Sequence, residues 1–197
     1  MKDVVERVRP TVLIGVSGQA GAFTEEIVRF MAKGLDQEHN GREVRPVILP
    51  LSNPTSRCEA APAEVIRWTD GRAIVGTGSP FAPVEFGGKS HRIAQTNNSY
   101  IFPGMALGIM SSKARRVSDG MIMAAARALA ALSPTQTDPD GALLPPLESL
   151  RNVSMSVAVA VGRQAQAEGL ADVKGEAFVE ALRANVWEPV YLPYRRR

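Results

Sequence analysis

The side chains best suited to recognising a ligand in this chain are amides. Asn97 and Asn98 stand side by side in Gln95-Thr-Asn-Asn-Ser-Tyr-Ile-Phe-Pro-Gly104, directly before an aromatic and aliphatic run closed by Pro-Gly. Neutral amides donate and accept hydrogen bonds without the cost of burying a charge, so the pair can hold a carboxylate or a carboxamide in a dry cleft. An Asx turn capping the next helix is the competing use of the same residues. Asn53, in Leu51-Ser-Asn-Pro-Thr55, offers the same chemistry at the end of an apolar run, with an Asn-Pro turn as its alternative. Gly15-x-x-Gly18-x-x-Gly21 lies between a strand pattern and a helix pattern, where glycines let the backbone approach a ligand and the helix start favours anions. Its spacing is not Gly-x-Gly-x-x-Gly, and a tight turn is the other reading.

The remaining reactive groups point away from direct chemistry. Cys58 is the only cysteine, which excludes an intramolecular disulfide and a cysteine-rich zinc site and fits a reducing cytosol. Its neighbours Arg57 and Glu59 supply no histidine partner, so it reads as a structural thiol. His91 lies among Lys89 and Arg92 without an orienting carboxylate and reads as solvated. Glu25 and Glu26 open a helix, and no carboxylate cluster has the spacing of an octahedral metal site. No acid/base pair or nucleophile constellation is visible, which argues against an unrelated enzyme complete within these residues.

The elements that must position the amides follow from hydrophobic period and punctuation. A short amphipathic helix over 2–8 is stopped by Pro10. Residues 11–16 form a nearly all-apolar strand of the kind found in a sheet covered on both faces. Thr24 caps a helix over 25–32, and 33–45 reads as a polar surface loop. A second strand over 46–51, a helix over 63–69 with Pro62 in its first turn, and a third strand over 73–77 complete a strand-helix repeat. That order implies a parallel sheet with crossover helices, an α/β, partial Rossmann-like (doubly wound) sheet of about three strands. Gly87-Gly88 suggests a small hairpin or exposed loop, and helices follow over 102–110, 119–132, 150–168 and 175–184, with a Pro/Asp/Gly loop over 134–146. Residues 1–84 thus read as strand-helix repeats and 85–197 as a mainly helical extension.

With 197 residues, 45% of them apolar, the chain has the composition of an ordinary globular protein and one main domain. The formal net charge of +3 leans on Arg195, Arg196 and Arg197, a solvated tail, and the other basic residues are mixed with acids and lack interleaved aromatics. Nucleic-acid binding is not expected. Nor is a membrane partner: no apolar run approaches the length of a span, and the first residues lack the apolar core of a signal peptide.

Read together, the motifs resemble the malic enzyme family. Leu51-Ser-Asn-Pro-Thr55, Thr77-Gly-Ser-Pro-Phe-Ala-Pro-Val84, Gln95 to Gly104 and Arg116-Val-Ser-Asp-Gly-Met-Ile-Met-Ala-Ala-Ala-Arg127 occur in the family's order and spacing. Gly15-Val-Ser-Gly-Gln-Ala-Gly-Ala-Phe-Thr-Glu-Glu26 precedes them, and Glu188-Pro-Val-Tyr-Leu-Pro-Tyr-Arg195 resembles bacterial NAD-type C-termini. The resemblance implies the C-terminal part of an NAD-binding domain, cytoplasmic and homo-oligomeric. It implies that Val16, Ser17 and Gly18 lie along the nicotinamide half of the cofactor, that Asn53 touches substrate and nicotinamide, and that Asn97 and Asn98 help bind malate. The implied reaction is oxidative decarboxylation of malate with NAD, NADP being possible, on a divalent Mg or Mn. In the family the lysine base, the tyrosine acid, the metal ligands and a substrate-gripping arginine precede the segment that this chain resembles. The partners implied are therefore malate, NAD and an N-terminal half carrying the malic domain and the first half of the nucleotide domain, and these residues alone are expected to be inactive. A stand-alone, non-catalytic binding or oligomerisation module is the alternative.

Overall fold

The computed structural model describes residues 1–38, 44–188, 190 and 191. They pack as two compact units, Met1–Asn98 with Ala130–Leu150, and Ser99–Leu129 with residues 151–197 so far as these are described. These boundaries differ from a division at residue 84, because β6 extends the sheet past the hairpin and the 130–150 loop clusters with the sheet unit.

The first unit starts with α1 (Lys2–Val8), whose Val5 is buried in the core. β1 (Val12–Gly15) leads through a turn into α2 (Glu25–Glu38), then β2 (Val47–Pro50), α3 (Pro62–Trp68) and β3 (Ile74–Thr77). An antiparallel hairpin, β4 (Val84–Phe86) and β5 (Lys89–His91), precedes the short strand β6 (Ala94–Gln95). The main sheet is parallel with order β1-β2-β3-β6, four strands rather than three. β6 escapes sequence reading because two residues are too few to show a period of two.

The α2 helix runs well beyond residue 32, into the stretch read as loop. Thr24 Oγ accepts from Ile27 N at 3.5 Å at its start, and Ile27, Val28, Met31 and Leu35 continue one buried stripe. That stripe decides against the polar residues around Gly34. Part of the expected loop, 39–43, lies outside the described residues.

One face of the sheet carries the core. Ile48 and Val75 pack with Val28, Met31, Val65 and Ile66 from α2 and α3, and Leu13 joins them from β1. The alternate residues of β1 do not: Val12 is 45% and Ile14 57% exposed. The apolar run of β1 therefore does not reflect a strand covered on both faces in this chain.

The second unit is helical: α4 (Phe102–Ser112), α5 (Asp119–Ala131), α6 (Leu150–Ala167) and α7 (Gly175–Asn185). Gly104 and Gly108 bring α4 against α6, since a Cβ at either would stand 2.4 Å from Ser154 O or 2.5 Å from Ala158 O. Phe178 of α7 fills the space above Gly162, and Val157, Ala158 and Val161 are fully buried. Among the described residues no helix is long and apolar enough to cross a membrane.

β1 is an edge strand whose outward residues are apolar, a template for pairing with another strand. The isolated chain is expected to self-associate as concentration rises, measured by size-exclusion chromatography with light scattering, and Ile14→Lys is expected to suppress it. A monomer at every concentration would show that this edge is not adhesive.

Candidate functional site

Because the four main strands are parallel, their carboxyl ends meet at one rim of the sheet, the place where open α/β sheets bind ligands. β1 runs out into Val16-Ser17-Gly18, β2 into Leu51-Ser52-Asn53, β3 into Gly78-Ser79, and β6 into Thr96-Asn97-Asn98. β3 separates β2 from β6, so the strands that deliver Asn53 and Asn97 are roughly 10 Å apart.

The rim is tied together from below by Glu59, a side chain with no exposed surface. Its Oε1 accepts from Ser17 N at 2.8 Å, Ser17 Oγ at 2.9 Å and Ser52 Oγ at 2.5 Å, and its Oε2 from Ser52 N at 3.3 Å. Ser52 Oγ in turn accepts from Gly18 N at 2.8 Å. The main chain repeats the connection, with Phe23 N donating to Glu59 O at 3.0 Å and Gly21 N to Cys58 O at 3.3 Å. Gly15 makes room for the carboxylate, since a Cβ there would lie 2.6 Å from Glu59 Cδ.

Burial is the largest influence on the Glu59 carboxyl and raises its pKa; the donors from Ser52 and Ser17 together outweigh it and hold the group below the ordinary glutamate value. Glu59 is therefore a buried anion satisfied by hydrogen bonds.

Above this strut the cofactor candidates present an open surface. Val16 is 77% exposed, Ser17 is exposed, and Gly18 takes a left-handed φ of 65° with nothing within 4 Å of where a Cβ would stand. Asn53 is exposed, and its Oδ1 accepts from Ser79 Oγ at 2.5 Å, which fixes the amide and leaves Nδ2 only a 3.5 Å contact with Leu51 O. Thr77 Oγ donates to Ser79 O at 2.8 Å and steadies that loop. Thr96 Oγ1 is buried and has no hydrogen-bond partner among the described residues.

The structure thus joins Val16, Ser17, Gly18 and Asn53 through Ser52 and Glu59, and puts Asn97 and Asn98 on the same rim, both exposed. A 3-10 turn over Asn98–Tyr100 follows Asn97 directly, and α4 starts beyond it at Phe102 with Ile101 in its cap position. Cys58 Sγ lies 3.1 Å from Ala60 O, and burial pushes its thiol up, as a packing residue requires.

Ser52, Glu59, Ser79 and Thr96 are rim residues that reading the sequence passed over. Only Glu59 left a signal, a carboxylate set between Cys58 and Ala60-Ala61 in an otherwise small, apolar stretch. Among the described residues no group of three His, Cys, Asp or Glu side chains is placed to hold a metal ion. The described rim side chains are amides and hydroxyls, with Val16 exposed and the Asn53 amide oriented by Ser79, a donor set that does not fit a divalent metal.

A parallel sheet flanked by crossover helices, with polar loops converging at its carboxyl rim, defines the doubly wound nucleotide-binding class. Within that class the chain belongs to the malic enzyme family: residues 1–166 match the family described as malic enzyme, NAD binding domain. It is 53% identical to an NAD-dependent malic enzyme of Pseudomonas savastanoi over 99% of its own length, and 51% identical to that of Sodalis glossinidius over its whole length. It spans about a third of those relatives, 33% and 34% of their lengths. Among solved structures, Entamoeba histolytica malic enzyme superposes with a TM-score of 0.67 at 25% identity, covering 90% of this chain and 31% of that one. Malic enzyme from Pyrococcus horikoshii gives 0.62 at 25% identity, covering 88% and 34%.

Removing the strut should be costly. Glu59→Ala strands the Ser17 and Ser52 donors and is expected to lose about 3 to 5 kcal/mol of stability in urea unfolding. The native carboxyl titrates below its unfolded value, so its contribution is complete above about pH 4.3 and is lost as pH falls through the native pKa. The acid limb of a stability-versus-pH curve should therefore be shallower in Glu59→Gln than in the unaltered chain.

Proposed function

We propose that this chain is the C-terminal part of the nucleotide domain of an NAD-dependent malic enzyme, and that its rim holds the nicotinamide half of NAD against malate. The observation that supports this best is the Glu59 strut, which holds an open Val16-Ser17-Gly18 turn beside an oriented Asn53 in a family described by its NAD binding domain. In this reading Val16 offers apolar surface to the ring, and Gly18 lets the main chain approach it. Asn53 contacts both ring and substrate, and Asn97 and Asn98 bind malate carboxylate oxygens with neutral donors.

The reaction is (S)-malate plus NAD+ giving pyruvate, CO2 and NADH. Bound NAD supplies the hydride acceptor for C2 of malate. The rim residues orient the two reactants and exclude water from between them, which is where positioning lowers the barrier. Proton transfer and metal coordination belong, in this proposal, to the malic domain and the first half of the nucleotide domain, supplied by other residues than these. Without them the chain should show no malate-dependent reduction of NAD with Mn or Mg; turnover that survives repurification and disappears in Asn53→Ala would overturn the proposal.

In the complete enzyme, Asn97→Ala and Asn98→Ala are each expected to lower kcat/KM for malate by roughly ten- to a hundredfold, the cost of about 1.5 to 3 kcal/mol for one hydrogen bond to a carboxylate. Both side chains are exposed, so melting temperature should hardly change. Unchanged kinetics with a marked loss of stability would assign them to the fold instead. Assays with NAD and NADP in parallel should favour NAD, as in the relatives' names.

A further inference from the structure

Glu59 is a strut, but a strut need not be charged. Its carboxylate receives hydrogen bonds from Ser17 and Ser52, and no Lys, Arg or His among the described residues forms an ion pair with it. Gly15 and Phe23 crowd the same space, since a Cβ on Gly15 would stand 2.6 Å from Glu59 Cδ and 2.7 Å from Phe23 Cζ, and Cys58 is its neighbour in sequence. Hydrogen bonds make the anion stable there without cancelling its charge, so a full negative charge remains in a low-dielectric setting. A single layer of main chain separates it from the outer face of the rim, because the Ser17 N–H that it binds belongs to the exposed turn.

An oxidised nicotinamide is a cation and a reduced one is neutral. A group seated on the Val16-Ser17-Gly18 turn would be separated from the carboxylate by the Ser17 main chain, whose N–H donates to Glu59 Oε1 at 2.8 Å, close enough for the difference in charge to be felt. We infer that Glu59 is a charge-selective positioning residue, whose buried carboxylate makes the rim favour the oxidised, cationic nicotinamide over the reduced, neutral one. This inference rests on the nicotinamide placement proposed above. Its consequence is that the hydride acceptor is held more tightly than the hydride carrier that leaves, a difference of about five- to fiftyfold in affinity across that layer of main chain. The other polar side chains named on the rim, Ser52, Asn53 and Ser79, carry no net charge.

The experiment uses the complete 197-residue chain and two ring probes of nearly identical shape, the 1-methylnicotinamide cation and neutral 1-methyl-1,4-dihydronicotinamide. Amide chemical shifts of Val16, Ser17, Gly18 and Asn53 are followed by NMR up to tens of millimolar probe. The expected result is several-fold tighter binding of the cation, with the preference lost in Glu59→Gln while the neutral probe binds as before. A purely structural role would weaken both probes together. Equal binding of the two probes to the unaltered chain, or a preference that survives in Glu59→Gln, would overturn the inference and leave the nicotinamide placement standing.

If Glu59→Gln does not fold, the unaltered chain decides the matter through the Glu59 carboxyl carbon. By linkage, the cation should lower the pKa at which that carbon titrates and the neutral probe should leave it in place; equal displacement by both overturns the inference. If neither probe shifts the rim amides, the nicotinamide placement itself is wrong and the inference falls with it.

Discussion

The sheet rim depends on one constraint: a carboxylate buried without a cation must be hydrogen-bonded from every side that water has left. Glu59 meets it by drawing Ser17 and Ser52 inward, and those serines belong to different crossover loops. The turn after β1 and the loop after β2 are thereby held in register, and Gly18 is fixed through Ser52. Small residues at Gly15 and around Ala60 accommodate the group. The shape of the rim is thus set by a residue with no exposed surface of its own.

The same unit shows how the fold divides labour between its two faces. Helices α2 and α3 bury one face of the sheet around Ile48, Val28 and Val65, which are all at 0% exposure and form the stable base of the rim. On β1 the opposite face carries Val12 and Ile14, whose exposure is the feature of an edge made for further contact. The chain spans about a third of the length of the relatives it matches, and β1 stands at the edge of its main sheet.

Much was legible without coordinates because it depends on local pattern. Three strands of the main sheet, the helices and the hairpin around Gly87-Gly88 appear within a residue or two of where period and punctuation put them, α2 excepted. The end of α2 is hidden from local pattern because Gly34 and its charged neighbours are loop signals, while the burial of Leu35 that overrides them is a tertiary fact. β6 leaves no local signal because its two residues are a strand only by pairing with Gly76 and Thr77.

The family resemblance, the parallel strand-helix order and the amides at the strand ends follow from residue type, spacing and period alone. Which polar residues act together depends instead on how the strands pair. Glu59 lies 42 positions from Ser17, and nothing local announces that they share a hydrogen bond. Ser79 meets Asn53 across 26 positions in the same way. Folding a parallel sheet brings strand ends together that crossover helices keep far apart in the chain, so the rim's connections exist only once the strands have paired.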